Sequence, residues 1–264
     1  MSKSAAPTLA MVTGASSGIG KSFAEILAAR GTDLILVARN RERLEQLATT
    51  LRERHGRSVD VLVADLEQPK ELALVEQRLR DDVRIDLLIN NAGYGVTGSF
   101  ADLPLERSLG QVGCNVVALT RLTHAALATM KPSRRGGSVN IASTAALLPT
   151  PYFSVYAATK AYVVNFSLAL NEETKGHGVT VTVVCPGFTR TEFQSRADYD
   201  ATSMPGFVWQ TADDVARESL AAHAAGRTLC IPGLQNRVTA ALTSLLPKSL
   251  LVSLIGRLTQ QPRS

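Results

Sequence analysis

The sequence predicts an α/β protein built on a doubly wound parallel sheet. Three observations carry that expectation. Short β-branched runs alternate with longer amphipathic segments along most of the 264 residues. The runs are almost continuously apolar, as strands are when helices cover both faces of a parallel sheet. The first run opens into a glycine-rich loop followed by a helical pattern. Such repetition winds with right-handed crossovers into one Rossmann-type domain. No Pro/Gly/Ser-rich linker and no internal repeat interrupts it.

The elements follow in order. Strands are expected at 8–13, 33–38, 58–63, 87–90, 138–142, 180–184 and 228–231. Helices are expected near 19–30, 41–55, 68–80, 104–131, 155–175 and 211–225. In the second helix, Leu44, Leu47, Ala48 and Leu51 recur at the three-and-four spacing of a buried stripe. Two segments break the alternation. The connection from Pro186 to about Gln210 is longer than a turn needs, which marks a lid, a binding loop or disorder. The other is the tail after Gly233.

Composition narrows the class. With 45% apolar and 19% charged residues, the chain is too apolar and too sparsely charged for a disordered protein. No run of uncharged apolar residues is long enough to span a bilayer. The short apolar stretch Leu9 to Thr13 ends in a glycine loop, unlike a signal peptide. Cys114, Cys185 and Cys230 are widely spaced and form neither a metal nor a disulfide pattern. That points to a reducing compartment, the cytoplasm, and to no bound metal. The net charge of +5 is concentrated at one end: residues 231–264 hold Arg237, Lys248, Arg257 and Arg263 and no acid. The rest is nearly neutral and offers no basic face to nucleic acid.

The loop after the first strand reads Thr13-Gly14-Ala15-Ser16-Ser17-Gly18-Ile19-Gly20. Glycines let the backbone turn tightly and approach a pyrophosphate, and the following helix turns unpaired N–H groups toward the anion. A dinucleotide is therefore the expected ligand. At the end of the second strand an acid would bind the ribose 2′-hydroxyl of NAD, but this chain has Ala38, Arg39, Asn40 and Arg41. A guanidinium at Arg39 suits a 2′-phosphate, with the Ser16 hydroxyl as a second contact. The expected cofactor is NADP(H).

The glycine loop, Asp65, Asn90 to Gly93, Asn115, Ser143, Tyr156 to Lys160 and Pro186-Gly187 stand together in order and spacing. On those residues the chain resembles the short-chain dehydrogenase/reductases in their compact form, up to about residue 232. The resemblance implies that Tyr156 exchanges the proton of a carbonyl or alcohol. An unperturbed phenol titrates near ~10, and Lys160, four residues on and sharing a helical face, is expected to lower that value together with the nicotinamide charge. It also implies that Lys160 holds the nicotinamide ribose, that Ser143 hydrogen-bonds the carbonyl oxygen, and that Asn115 holds a proton-relay water through its backbone. Alone, a Tyr and Lys at this spacing would decorate a helix surface; the four positions together carry the reading. Thr159 stands where the family more often has serine and keeps the hydroxyl.

The resemblance carries further cofactor contacts onto Gly14, Ser16, Ser17, Gly18, Ile19 and Gly20, and onto Arg39, Asp65, Leu66, Asn91, Ala92 and Gly93. Asn90 is expected as the direct contact of its segment, while Asp65 has helix capping as a competing role. Tyr156, Lys160, Pro186, Gly187 and Thr189 complete the set, and Thr191 closes the P-G-x-x-x-T spacing. Substrate contacts are expected at Ser143, Tyr94, Leu148 and Phe188. Val96, Leu147, Phe153, Phe193 and Trp209 are further apolar candidates, either for the pocket wall or for core beneath the loop. Apolar walls suit a lipophilic small-molecule carbonyl or alcohol.

The expected division is a dinucleotide-binding and catalytic domain over 1–232 and a helical extension of it over 233–264. In the extension, Val238, Leu242 and Leu245 form one stripe and Leu251, Leu254, Ile255 and Leu258 another, divided by Pro247. It resembles the extension of the branch grouped with the D-alanyl-lipoteichoic-acid operon dehydrogenase, whose members act on lipid-like substrates. The helix pair either covers the pocket, joins subunits of a homodimer or homotetramer, or rests on a membrane surface. The leading function is an NADPH-dependent carbonyl reductase, reversible as an alcohol dehydrogenase. The competing reading is a catalytically idle NADP-binding regulator or scaffold, against which the intact Tyr156 and Lys160 speak. A methyltransferase would not need that pair, and a nucleotide-sugar epimerase would carry a larger substrate domain.

Overall fold

The computed structural model describes residues 7–199, 204–244, 246–247 and 251–253. The strands are β1 (Leu9–Thr13), β2 (Asp33–Ala38), β3 (Val59–Val63), β4 (Ile85–Asn90), β5 (Gly137–Ile141), β6 (Thr180–Val184), β7 (Thr189–Arg190), β8 (Gln210–Thr211) and β9 (Leu229–Cys230). The helices are α1 (Gly18–Ala29), α2 (Arg41–His55), α3 (Pro69–Asp81), α4 (Leu105–Val112), α5 (Leu119–Ser133), α6 (Ser154–Thr174), α7 (Phe193–Arg196), α8 (Ala212–Ala224) and α9 (Leu234–Ser244). A π-helical stretch, Gly113–Ala118, joins α4 to α5.

The main sheet has the order β3-β2-β1-β4-β5-β6-β9, and every pairing is parallel. The alternation of a strand's side chains assigns each helix to a face. Ala10 and Val12 of β1 point into a core with Phe23 and Leu27 of α1, Leu44 and Leu51 of α2, and Leu220 of α8. Met11, between them, points the other way, into a core with Val75 and Leu79 of α3 and Leu122 and Met130 of α5. Val163 of α6 extends that second layer against Val183 and Cys185. The expected doubly wound sheet is therefore the fold observed. Winding reverses between β1 and β4, so the chain leaves these neighbours in opposite directions and opens a crevice beyond their carboxyl ends.

The described part of the long connection after β6 is structured. Its ends pair as the two-residue strands β7 and β8, with α7 between them. The stripe read in the tail does not cover the pocket. Val238 and Leu242 do not pack inward; with Leu234 and Leu246 they are exposed. The face that α9 turns inward carries Asn236 and Ala240 instead. Leu251 is buried. Leu245, Leu254, Ile255 and Leu258, and with them most of the second expected stripe, lie outside the described residues. Among the described residues no helix is long and apolar enough to cross a membrane.

Candidate active site

One cavity of about 1440 Å³ occupies the crevice and continues under the β7–β8 segment. Its inner wall is the loop after β1. Gly14 and Gly18 adopt left-handed φ of +64° and +55°, which side chains rarely adopt. The loop is braced from β4: Asn91 Nδ2 donates to the Thr13 carbonyl at 2.9 Å, and the Asn91 and Ala92 amides both donate to Thr13 Oγ1 at 3.0 Å. Ser17 caps α1 without a side-chain bond to its first turn, so those N–H groups stay open to an anion. Gly14, Ser16, Ser17, Gly18 and Ile19 line the cavity. Gly20 does not; it lies beneath Gly14, whose carbonyl leaves no room for a Cβ.

Beyond the loop the wall continues through Arg39, Asp65, Leu66, Asn91, Ala92 and Gly93. Asn90 does not reach it, contrary to expectation. It is buried in the sheet, where its amide donates to Thr123 Oγ1 at 2.9 Å and Asn140 Oδ1 at 3.0 Å. Asn91 follows the end of the strand and lines the crevice. The Arg39 guanidinium lies 3.9 Å from both Asp65 and Glu67. Glu67 was not anticipated. It accepts from the Tyr94 hydroxyl at 3.3 Å, and burial together with Asp65 raises its carboxyl above the usual range. The open glycine cradle, the free α1 N-terminus and a cation beside the ribose position fit a dinucleotide with a 2′-phosphate.

The four expected catalytic side chains come from three elements. Ser143 follows β5 and accepts from the Ala145 amide at 3.1 Å. It shares the cavity wall with Tyr156 of α6 and favours the ionised form of that phenol. Lys160, one helical turn on, donates from Nζ to the Ile141 carbonyl at 2.8 Å. Tyr156 and Lys160 are both buried within the cavity wall. Burial disfavours the charged form of each, pushing Tyr156 up to about 12 and Lys160 down to about 8. The expected lowering of the tyrosine by Lys160 is therefore not the state of the protein alone; desolvation outweighs the lowering influence of Ser143.

Asn115 sits in the π-helical stretch, a distortion that recurs at functional sites. Its side chain closes a two-way bridge to the main chain of Tyr94, accepting from the amide at 3.1 Å and donating to the carbonyl at 2.9 Å. It also donates to Thr159 Oγ1 at 3.0 Å. That ties α6 to the loop after β4, and leaves no room for a Cβ on Gly93.

The outer wall is aromatic. The Phe153 ring lies 4.4 Å from Tyr156, the Phe193 ring 5.4 Å from it, and Tyr199 stacks on both Phe153 and Phe188 at 6.2 Å. Tyr94, Leu148, Phe153, Phe188 and Phe193 line the cavity as expected, as do Pro186, Gly187, Thr189 and Thr191. Val96, Leu147 and Trp209 do not line it; Trp209 packs beneath Phe188 and faces Arg190. Tyr199, Met204 and Thr239 line it unannounced. Their segments carry no motif, and only the tertiary fold brings them to the site.

Residues 8–201 match the family model for short chain dehydrogenases. The human 17-beta-hydroxysteroid dehydrogenase type 3 is 34% identical over 242 residues, 90% of this chain and 75% of that protein. A short-chain dehydrogenase from Sphingobium yanoikuyae, solved in complex with NADPH, is 39% identical. It superposes with a TM-score of 0.83 over 90% of this chain and 94% of its own. The bulky-bulky ketone specific alcohol dehydrogenase from Comamonas testosteroni is 34% identical with a TM-score of 0.79, over 92% of this chain and 96% of its own.

Proposed function

The chain belongs to the short-chain dehydrogenase family of CH–OH/C=O oxidoreductases, and from that premise we propose that it is an NADP(H)-dependent reductase of a bulky, lipophilic ketone, reversible as a secondary-alcohol dehydrogenase. The observation that carries the reading is the Ser143–Tyr156–Lys160 cluster, with Tyr156 and Lys160 buried, where the glycine-loop crevice meets an aromatic chamber.

NADPH supplies the hydride when bound. The chain's own groups do the rest. The glycine loop and the α1 N-terminus hold the pyrophosphate, Arg39 and Ser16 the 2′-phosphate, and Asp65 and Leu66 the adenine side. Pro186, Gly187 and Thr189 face the carboxamide, and Lys160 the ribose hydroxyls. Ser143 donates to the substrate oxygen as negative charge develops there. Tyr156 is protonated at neutral pH, so its hydroxyl is ready to protonate that oxygen. Asn115 keeps the Tyr94 loop and Thr159 in place and holds the relay water through its backbone. Tyr94, Leu148 and Phe188 contact the apolar substituents, with Phe153, Phe193 and Tyr199 excluding water around Tyr156.

The protein works in the cytoplasm as a homo-oligomer. Leu105, Leu109, Val112 and Val117 form an exposed apolar row along α4 and the π-helical stretch, which a second copy of the chain covers. A panel of ketones graded in bulk, followed by NADPH absorbance, tests the function. Turnover rising with apolar bulk supports it. NADPH binding without turnover on any ketone or alcohol identifies the idle regulator instead.

A further inference from the structure

The tail helix reaches the site at a residue the family motifs do not include. The Asn236 side-chain amide rests directly on Gly187, in the turn after β6: a Cβ added at Gly187 would meet Asn236 Nδ2 at 2.6 Å and Cγ at 2.7 Å. The same amide donates to the Pro232 carbonyl at 2.8 Å and lies 2.7 Å from the Gln210 amide. Gln210 is buried, and its main-chain N–H donates to the Phe188 carbonyl at 2.9 Å. One side chain of α9 thus touches the turn itself and the strand that pairs with its continuation. One turn further along α9, Thr239 lines the cavity.

We infer that Asn236 is a positioning residue for the nicotinamide half of the cofactor, acting through the Pro186–Gly187 turn. The inference rests on the dinucleotide reading given above. Gly187 has no side chain, so the position of its main chain is set by what packs on it. On one side the Pro186 carbonyl accepts from the Thr144 amide at 2.9 Å, next to Ser143. On the other side stands Asn236. Shortening that side chain removes one wall of the turn, and the turn is then free to relax away from the cavity. A displacement well under the width of an atom is enough to weaken contacts that depend on hydrogen-bond geometry.

The test is a reciprocal pair of substitutions. Asn236→Ala should raise the KM for NADPH about three- to tenfold, with kcat within about twofold and the melting temperature within a few degrees. Gly187→Ala pushes on the same contact from the turn and should raise KM further. In Gly187→Ala/Asn236→Ala the added methyl gains the space that the amide vacates, so its KM should fall below that of Gly187→Ala alone. Asn236→Ser, which keeps one hydroxyl at the contact, serves if the alanine variant does not fold. An unchanged KM in whichever Asn236 variant folds, or a double variant worse than Gly187→Ala, overturns the inference. NADPH binding to the wild-type protein, followed by fluorescence, separates the two readings: no binding defeats the dinucleotide reading, whereas binding that Asn236 does not influence defeats only this one.

Discussion

The Lys160 ammonium lies over the face of the Tyr156 ring, 5.7 Å from its centre, and donates its hydrogen bond to the Ile141 carbonyl and not to the tyrosine hydroxyl. Ser143, on the same cavity wall, is the side chain that favours ionisation of that hydroxyl. On the proposed reading Lys160 serves the cofactor and Tyr156 the substrate oxygen. The two residues should fail differently when replaced.

Tyr156→Phe removes only the phenolic oxygen from a ring that is packed between Phe153 and Phe193. The ring contacts survive, so the fold and the crevice should too. Turnover is expected to fall at least ~10³-fold while NADPH affinity changes less than about threefold. Single-turnover kinetics and NADPH titration check the two halves separately. Substantial retained turnover would remove Tyr156 from its role.

Lys160 sets a pH limit. Its ammonium is held at about 8 by burial, below the usual lysine value. It is charged below that pH and neutral above it. A ribose contact that needs the charge is present at neutral pH and lost as pH rises through about 8. The kcat/KM for NADPH, which reports the free enzyme, should be level below pH 7 and decline above pH 8. Tyr156, pushed up to about 12, stays protonated throughout that range and contributes nothing to the decline.

The same burial makes Lys160 a stability cost. Its folded value is about 8 against 10.5 when unperturbed, so between those values the unfolded chain binds more protons and stability rises with pH. Lys160→Met removes the buried charge and keeps most of the volume. The shift is worth about 3 kcal/mol, partly offset by the lost bond to Ile141, so the melting temperature at pH 7 should rise by about 2–6 °C. The gain should shrink toward pH 10. A variant less stable than the wild type at pH 7 would contradict this.

How far the sequence could be read depended on whether a residue's role was local. The bounds of β2, β6 and α2 coincide with those read from hydrophobic pattern and flanking residues. β4 starts at Ile85, two residues before the reading, because Asp86 interrupts the apolar run. That carboxylate is nonetheless buried, accepting from the Thr8 and Leu9 amides. The glycine loop and the Tyr156 to Lys160 motif were legible because their spacing alone puts them on one turn or one helix face. Asn90 and Asn91 were not distinguished, since which of two adjacent residues turns toward the crevice depends on where the strand ends. Asn236, Thr239 and Tyr199 reach the site only through tertiary packing. The leucine stripe of α9 was legible as an apolar side, but what covers it is not written in the spacing; in the structure Leu234, Val238 and Leu242 are exposed.

On the proposed reading cofactor choice rests on Arg39, whose guanidinium lies 3.9 Å from both Asp65 and Glu67. Arg39→Ala combined with Ala38→Asp removes the phosphate's partner and supplies an acid for the 2′-hydroxyl. The ratio of NADPH to NADH efficiency should fall about 10- to 100-fold, the usual worth of charge-assisted phosphate contacts. Glu67→Gln should move the ratio the other way, by about two- to threefold, because a competing carboxylate is neutralised. Kinetics with both cofactors at one ionic strength decide it. An equal response of NADH and NADPH to both variants would show that neither residue reads the phosphate.

Truncation after Gly233 tests what the tail does. It deletes Asn236 from the Gly187 turn and Thr239 from the cavity wall, and it leaves Gln210 without its amide partner. It also deletes the exposed Leu234, Val238 and Leu242. If the exposed stripe is what matters, because it docks on a lipid surface, the truncated protein should stay soluble and active and lose only its binding to anionic vesicles. If the inward face matters, NADPH affinity and turnover should drop together and newly bared apolar surface should promote aggregation. Asn236 packs on the Gly187 turn and Thr239 lines the cavity, so the second outcome is the expected one. Activity at wild-type level in a soluble protein ending at Gly233, measured beside vesicle co-sedimentation of the full chain, would assign the tail to the membrane instead.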